Sequence, residues 1–266
     1  MAFKENVKNG VVWMTSDKIK TKHGFSTRYG GVSKGGYKSL NLGFSRGDKA
    51  ENANENHRRL GEAIGINPFA AAYTKQVHGT EVRIVGKKDA IVPENLDRPE
   101  CDGLATSDKN LPIYCFTADC VPVLLHDPEN EVIAAVHAGW RSSVNDILSE
   151  AVAKMKKLGA KENKICAAIG PAIGTCCFEI SEDVKTEISR YLKGDTDGVI
   201  FPGKKEGKYF ADLREANKRR LIKLGLDEQN IDVSDECTVC KNEKYWSHRF
   251  VGQGERGSQC ATIVLE

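Results

Sequence analysis

The sequence has no apolar run of membrane-span length, and only 7% of its 266 residues are aromatic. The opening Met1-Ala2-Phe3-Lys4-Glu5-Asn6 lacks the apolar region of a signal peptide, so a cytoplasmic protein with no membrane contact is expected. An excess of one charge is missing too: 39 Lys and Arg stand against 37 Asp and Glu, a net charge of +2. That balance argues against a dedicated nucleic-acid binder and leaves small phosphorylated ligands open. There is no internal repeat, no low-complexity block and no convincing linker, so residues 1–266 read as a single domain.

Cysteine is not scarce: there are nine. An odd number with no export signal argues against a disulfide framework. Cys237-Thr238-Val239-Cys240 has the spacing of a metal or redox pair, but no second such pair follows, and Cys176-Cys177 are adjacent. A zinc ribbon, which usually needs paired motifs, is therefore not expected.

The most informative stretch is Thr117–Pro128 followed by Val132–Arg141. It reads as two apolar strands and a turn, then a glycine opening into a helix. If Asp127-Pro128-Glu129-Asn130 is the loop, His126 faces Glu131 and Cys120 faces His137. Their Cβ atoms would then lie roughly 4.5–5.5 Å apart on one face. A one-residue slip would send them to opposite faces. Pro122 lacks an N–H, so the first strand should be interrupted there or lie at a sheet edge.

Elsewhere, Val11–Trp13 reads as a strand and Gly30–Tyr37 as a Gly-rich loop. That loop, beside Arg28, is either a surface turn or an anion-binding run of amides; it matches neither the P-loop nor the dinucleotide pattern. A helix is predicted from Lys49 to Gly65, with Asn52, Asn56, Arg58 and Arg59 on polar faces. Strands follow around 81–85 and 165–169, and helices over 144–158, from Ser181 to Leu192 and from Asp212 to Gly225. Residues 193–208 read as exposed, and short strands are expected at 231–233 and 261–265. Helices and strands mix without strict alternation, which predicts an α+β fold with mixed β-sheets.

His78, Cys120 and His137 stand in strand or turn contexts where packing does not require them. Two His and one Cys suit a catalytic zinc, which takes three protein ligands and keeps a fourth position for water, lowering its pKa to about 7. Judged singly, Cys120 reads as a small buried hydrophobe and His137 as a buried histidine hydrogen-bonded to backbone. The same atoms also suit a Cys120 nucleophile with His137 as base and Asp119 or Asp102 orienting the ring. Arg141, at a helix start, reads either as an anion contact or as a solvated surface residue. His126 reads as structural, His248 as a possible pocket residue, and Trp140 as core or pocket wall.

Several motifs together resemble one family. They are His23-Gly24-Phe25-Ser26-Thr27-Arg28, Ser39-Leu40-Asn41-Leu42-Gly43, Gln76-Val77-His78-Gly79, Thr117-Ala118-Asp119-Cys120, His137-Ala138-Gly139-Trp140-Arg141, Ile169-Gly170-Pro171 and Cys176-Cys177-Phe178-Glu179. The chain is similar along nearly its whole length to the multicopper polyphenol oxidase (laccase)-like family, whose members have been redescribed as purine nucleoside phosphorylases with adenosine deaminase activity. The resemblance implies α/β/β/α layers and a zinc site at His78, Cys120 and His137. It implies phosphorolysis of adenosine, inosine and methylthioadenosine, deamination of adenosine, and substrate or phosphate contacts from Arg28, Asn41 and Arg58. Copper is the alternative metal, but several copper centres would need more than the six histidines present. A monomer or homodimer is expected. The chain departs from the family at Ser142, where a Gly is usual, at His57, where an Arg is frequent, and at Phe250, where a second Arg is usual. The last departure predicts weaker phosphate binding.

Overall fold

A computed structural model describes residues 3–266; Met1 and Ala2, part of the N-terminal reading above, lie outside the described residues. In chain order the elements are β1 (Phe3–Lys8), β2 (Val11–Ser16), β3 (His23–Ser26), α1 (Ala50–Ile64), β4 (Val82–Ile84), β5 (Gly103–Thr106) and β6 (Ile113–Thr117). Then come β7 (Val121–Asp127), β8 (Val132–Ala138), α2 (Trp140–Val144), α3 (Ile147–Lys157), β9 (Cys166–Ile169), β10 (Glu179–Ser181) and α4 (Glu182–Tyr191). The chain closes with β11 (Ile200–Pro202), β12 (Lys208–Ala211), α5 (Leu213–Lys223), β13 (Ile231–Val233), α6 (His248–Val251) and β14 (Gln259–Ile263).

Two sheets face each other, ordered β1-β2-β3-β14-β6 and β13-β9-β7-β8-β5-β4, and β10-β12-β11 form a small third sheet. Side-chain alternation explains the layers. Leu124, Ile133 and Ala135 point from β7 and β8 into a core shared with Phe25, Ile113 and Ile263 of the opposing sheet. Val123, Leu125, Ala134 and Val136 point the other way, onto Ile147, Leu148 and Met155 of α3 and Leu213 and Leu221 of α5. Helix α1 covers the far side of the first sheet through Leu60 and Ala63. The result is the α+β fold in α/β/β/α layers. It also explains why β7 and β8 are apolar throughout: both of their faces are buried. Removing one such side chain, as in Leu124→Ala, should cost ~2–5 kcal/mol.

The β7–β8 register differs from the expected one. Pro122 pairs with His137 and Asp127 with Val132, so the loop is residues 128–131 and the register lies two residues from expectation. The reason is local. Asp127 ends the strand, its carboxylate accepting the amides of Glu129 and Asn130, and Glu131 turns the chain at φ 51°. A two-residue shift preserves the face, so Cys120 and His137 still point the same way, although Cys120 lies just before the strand. Pro122 does not mark an edge. It is the second residue of a central, uninterrupted strand, and its carbonyl accepts the amide of Gly170 where β9 has ended.

Other boundaries moved as well. The helix predicted over 144–158 is two helices broken at Asp146, which has φ 72° and is held by Arg220 of α5 at 2.8 Å. Residues 193–208 hold β11 and the start of β12. Asn56, expected on a polar face, is fully buried, as is its neighbour His57. Asn56 instead binds the amide of Val32 and the carbonyl of Asn41, each at 2.8 Å, pinning the Gly-rich loop.

Candidate metal centre and adjoining cleft

The site forms at one end of the second sheet, where β7 starts and β8 finishes. Its organiser is Asp102, fully buried just before β5. The Asp102 carboxylate accepts the backbone amides of Val77 (3.0 Å), His78 (3.0 Å) and Gly79 (2.8 Å). These bonds hold His78 in a left-handed conformation, φ 60°. The same carboxylate lies 2.7 Å from Nδ1 of His137, whose own amide donates to the Asp102 carbonyl at 2.7 Å. One side chain thus fixes the loop that carries His78 and leaves Nε2 of His137 as its free ring nitrogen. Gln76 ties that loop to β6, exchanging two 2.7 Å hydrogen bonds with the backbone of Phe116.

His78, Cys120 and His137 converge. One ligand atom from each lies within 4.8 Å of the others, with Cys120 Sγ 4.0 Å from His78 Nε2. Gly139 makes room for this. A Cβ there would stand 3.1 Å from the His78 ring, 3.3 Å from Cys120 Sγ and 3.7 Å from the His137 ring. The glycine leaves open the space into which the three side chains point. Two imidazoles and a thiol, one imidazole braced by a carboxylate, form a donor set suited to zinc or copper.

Electrostatics support the same grouping. Burial acts to raise the Cys120 thiol, but the charge and hydrogen bond of His137, together with His78, bring it down to about 6. Burial acts to lower His137, but the Cys120 charge and the Asp102 hydrogen bond lift it to about 9. Burial works to raise Asp102, yet its His137 and amide partners hold it below the usual carboxylate value. Cys120, His137 and Asp102 thus favour one another's charged forms, thiolate, imidazolium and carboxylate.

Two recesses open onto the group. The first, about 360 Å³, is lined by Phe44, Phe116, Gln76, Arg46, Arg98 and Arg256 along with all three candidate ligands. That volume lies in the range of small-molecule sites. Arg98 lies over the Tyr73 and Phe116 rings and donates to Asn95 O at 2.7 Å. Arg256 is buried and, among the described residues, bonds only Gly257 O and leaves its Nε without a hydrogen-bond partner. Burial and the charge of Arg46 press its guanidinium down to about 10. Among the described residues, none of these three arginines has a carboxylate within ion-pair distance, so together they attract an anion. The second recess, about 330 Å³, lies on the other side of His78 and Cys120 and is lined by Trp140, Arg141, Phe178, His248 and Arg249.

The structure therefore brings His78, Cys120 and His137 together and places Arg141 and His248 nearby. It does not bring Arg28, Asn41 or Arg58 into either recess. Arg28 donates to the carbonyls of Lys38 and Asn242 and lies 3.9 Å over the Trp246 ring. Asn41 is buried, binding Asp48 and the amides of Gly43 and Ser258, and braces the wall from behind. Arg58 is on the outer face of α1, paired with Glu55 and Glu62. Arg46, Arg98 and Arg256 escaped the sequence reading because each comes from a separate loop and no spacing relates them. The departures are accommodated: His57 sits in an aromatic cluster with Nε2 2.9 Å from Leu42 O, Ser142 is buried with an unpartnered hydroxyl, and Phe250 is exposed.

The chain is similar to known proteins along nearly its whole length. Residues 22–266 match the family described as multi-copper polyphenol oxidoreductase laccase. A purine nucleoside phosphorylase of Corynebacterium glutamicum is 34% identical over 241 residues, covering 91% of this chain and 93% of that one. The purine nucleoside phosphorylase YlmD of Geobacillus stearothermophilus is 32% identical over 244 residues, covering 90% and 88%. The crystal structure of that YlmD superposes with a TM-score of 0.93 at 29% identity, covering 100% of this chain and 99% of that one. A Bacillus licheniformis protein, YfiH, superposes with a TM-score of 0.91 at 27% identity, covering 99% of each.

Proposed function

The chain belongs to the multi-copper polyphenol oxidoreductase laccase family, and on that premise we propose that it is a zinc-dependent purine nucleoside phosphorylase that also deaminates adenosine. Its relatives named as purine nucleoside phosphorylases support an enzyme acting on purine nucleosides. The observation that carries the finer reading is the His78–Cys120–His137 group opening directly into a cleft with unpaired arginines and aromatic walls.

In this reading Phe44 and Phe116 flank the purine, and Arg46, Arg98 and Arg256 hold phosphate against C1′ of the ribose. The reaction breaks the bond from C1′ to the base and forms one from C1′ to a phosphate oxygen. Adenosine, inosine and methylthioadenosine would give free base and ribose 1-phosphate or its methylthio analogue. A zinc ion held by His78, Cys120 and His137 would supply Lewis-acid polarisation with a fourth position open. Asp102 keeps His137 in one orientation and one tautomer, so the ligand set is assembled before substrate arrives.

The test is chromatography of adenosine and inosine reactions with and without phosphate. Base and ribose 1-phosphate should appear only with phosphate, whereas inosine should form from adenosine in either buffer. Equal base release without phosphate would contradict the assignment.

One observation favours a second reading. Cys120, His137 and Asp102 also form a thiolate–imidazolium–carboxylate series, as a cysteine hydrolase requires. Loss of one metal per chain in Cys120→Ala supports the metal site; retained metal supports the free nucleophile. The copper oxidase reading is less well supported, because His23, His57 and His126 are buried elsewhere on backbone partners.

A further inference from the structure

We infer that Cys176, Cys177, Cys237 and Cys240 form a second metal site, closed and structural, that takes one zinc ion through four thiolates. The four sulfur atoms lie within 4.8 Å of one another. Cys240 Sγ is 3.3 Å from that of Cys176 and 3.5 Å from that of Cys177. Four thiolates at ~2.3 Å around a tetrahedral ion stand ~3.8 Å apart, close to these values. Disulfide bonding does not describe the set: a bonded pair is at ~2.05 Å, and Cys240 approaches two partners equally. An iron–sulfur cluster would spread its protein sulfurs around several metal atoms and would need a wider set.

The fold brings the four together by backbone pairing. Ala172 forms a bridge with Cys237, and the Thr238 amide donates to the Ala172 carbonyl at 3.0 Å. That docks the segment after β13 onto the segment between β9 and β10. The Gly174 amide donates to Cys237 Sγ at 3.3 Å. A Cβ at Gly174 would stand 3.3 Å from the Cys237 Cβ, 3.5 Å from Cys176 Sγ and 3.0 Å from the Arg214 guanidinium. Arg214 is buried, and its Nε makes no hydrogen bond although it lies 3.7 Å from the Asp212 carboxylate. A buried cation beside the cluster suits a centre in which four thiolates outweigh a divalent ion.

The site has a structural role toward the first one. Thr238, between the two cysteines of the Cys-x-x-Cys pair, donates its hydroxyl to the Asp119 carboxylate at 2.6 Å. The Ile173 amide donates to the Asp119 carbonyl at 3.0 Å, and Arg249 donates to the Cys177 carbonyl at 3.0 Å. Asp119 precedes Cys120. The four thiolates therefore fasten the two loops that hold the turn presenting Cys120.

The test uses the full chain with His78→Ala and Cys120→Ala combined, which removes the first ligand set and makes the result independent of nucleoside turnover. Elemental analysis should find one zinc per chain in that protein, and X-ray absorption should show an all-sulfur shell at ~2.3 Å. Adding Cys240→Ser should abolish that zinc. Circular dichroism of the zinc-loaded parent, before and after chelation, keeps the inference testable should the added variant not fold. No zinc in the double variant, a shell containing nitrogen, or a disulfide among the four cysteines in a non-reduced digest would each overturn the inference.

Discussion

Two groups of soft ligands, each gathered within 4.8 Å, differ in ligand number and surroundings. His78, Cys120 and His137 number three, are braced by the buried Asp102 carboxylate, and open onto two recesses. Cys176, Cys177, Cys237 and Cys240 number four, come from two docked loops, and leave no position for a substrate. Reactivity resides in what a site leaves unfilled. The first group gathers three protein ligands and opens onto a recess lined by arginines and aromatic rings. The second completes its own shell and has only a fastening role.

The comparison breaks most visibly at Cys120. Cys120→Ala should remove one metal per chain, leave the four-cysteine metal in place, and lower nucleoside phosphorolysis by ~1000-fold or more, or ~4 kcal/mol. Metal analysis beside an HPLC assay reads both effects. Loss of both metals would show that the groups are not independent.

Asp102→Asn tests whether the bracing matters as much as the ligands. The amide cannot accept every bond the carboxylate accepts from His137 and the 77–79 amides. Metal affinity at the first group should fall ~10–100-fold, with the second unchanged. Competition with a chromogenic chelator measures it; an unchanged affinity would detach Asp102 from the site.

Acid should act on the cleft side through His57, which burial and the Arg98 charge lower to about 4 against a Leu42 hydrogen bond that raises it. Its unfolded pKa is about 6.5, so between the two values the unfolded chain binds more protons. The His57 contribution to stability is therefore complete above pH ~6.5 and falls as pH drops toward 4, by about 2 kcal/mol at pH 5. Denaturant titrations at pH 7 and 5 should show this slope, and His57→Gln should reduce it without removing it, because burial lowers His126 to about 4 as well.

The smallest effects separate the arginines. Arg256→Ala should raise the KM for phosphate ~10-fold, as expected for one charge-assisted hydrogen bond, with little change in deamination. Arg58→Ala, whose partners are solvent-exposed carboxylates, should leave that KM within ~2-fold. Equal effects would return Arg58 to the site and weaken the account of the cleft.

These differences also show what a sequence can disclose. His78, Cys120 and His137 stood out because a thiol and imidazoles serve no packing need in apolar strands. The Cys120–His137 grouping survived a two-residue register error because side chains in a strand repeat every two residues. The layers were legible only through resemblance, since short strands such as β11 and β12 lack a distinctive pattern. Arg46, Arg98 and Arg256 were illegible because their convergence depends on three loops meeting in space. Arg28 and Arg58 show the converse: an arginine in a family-like position can be spent on carbonyls or surface carboxylates. The four-cysteine group was half legible, because Cys237-x-x-Cys240 has ligand spacing but its partners are adjacent residues far upstream.

The most direct measurement is inosine phosphorolysis by metal-stripped protein as zinc is added back. Base release should be negligible at the start, rise with zinc bound at His78, Cys120 and His137, and remain dependent on phosphate throughout. Full-rate release by the stripped protein, abolished by alkylating Cys120, would contradict the metal account and establish Cys120 as a nucleophile.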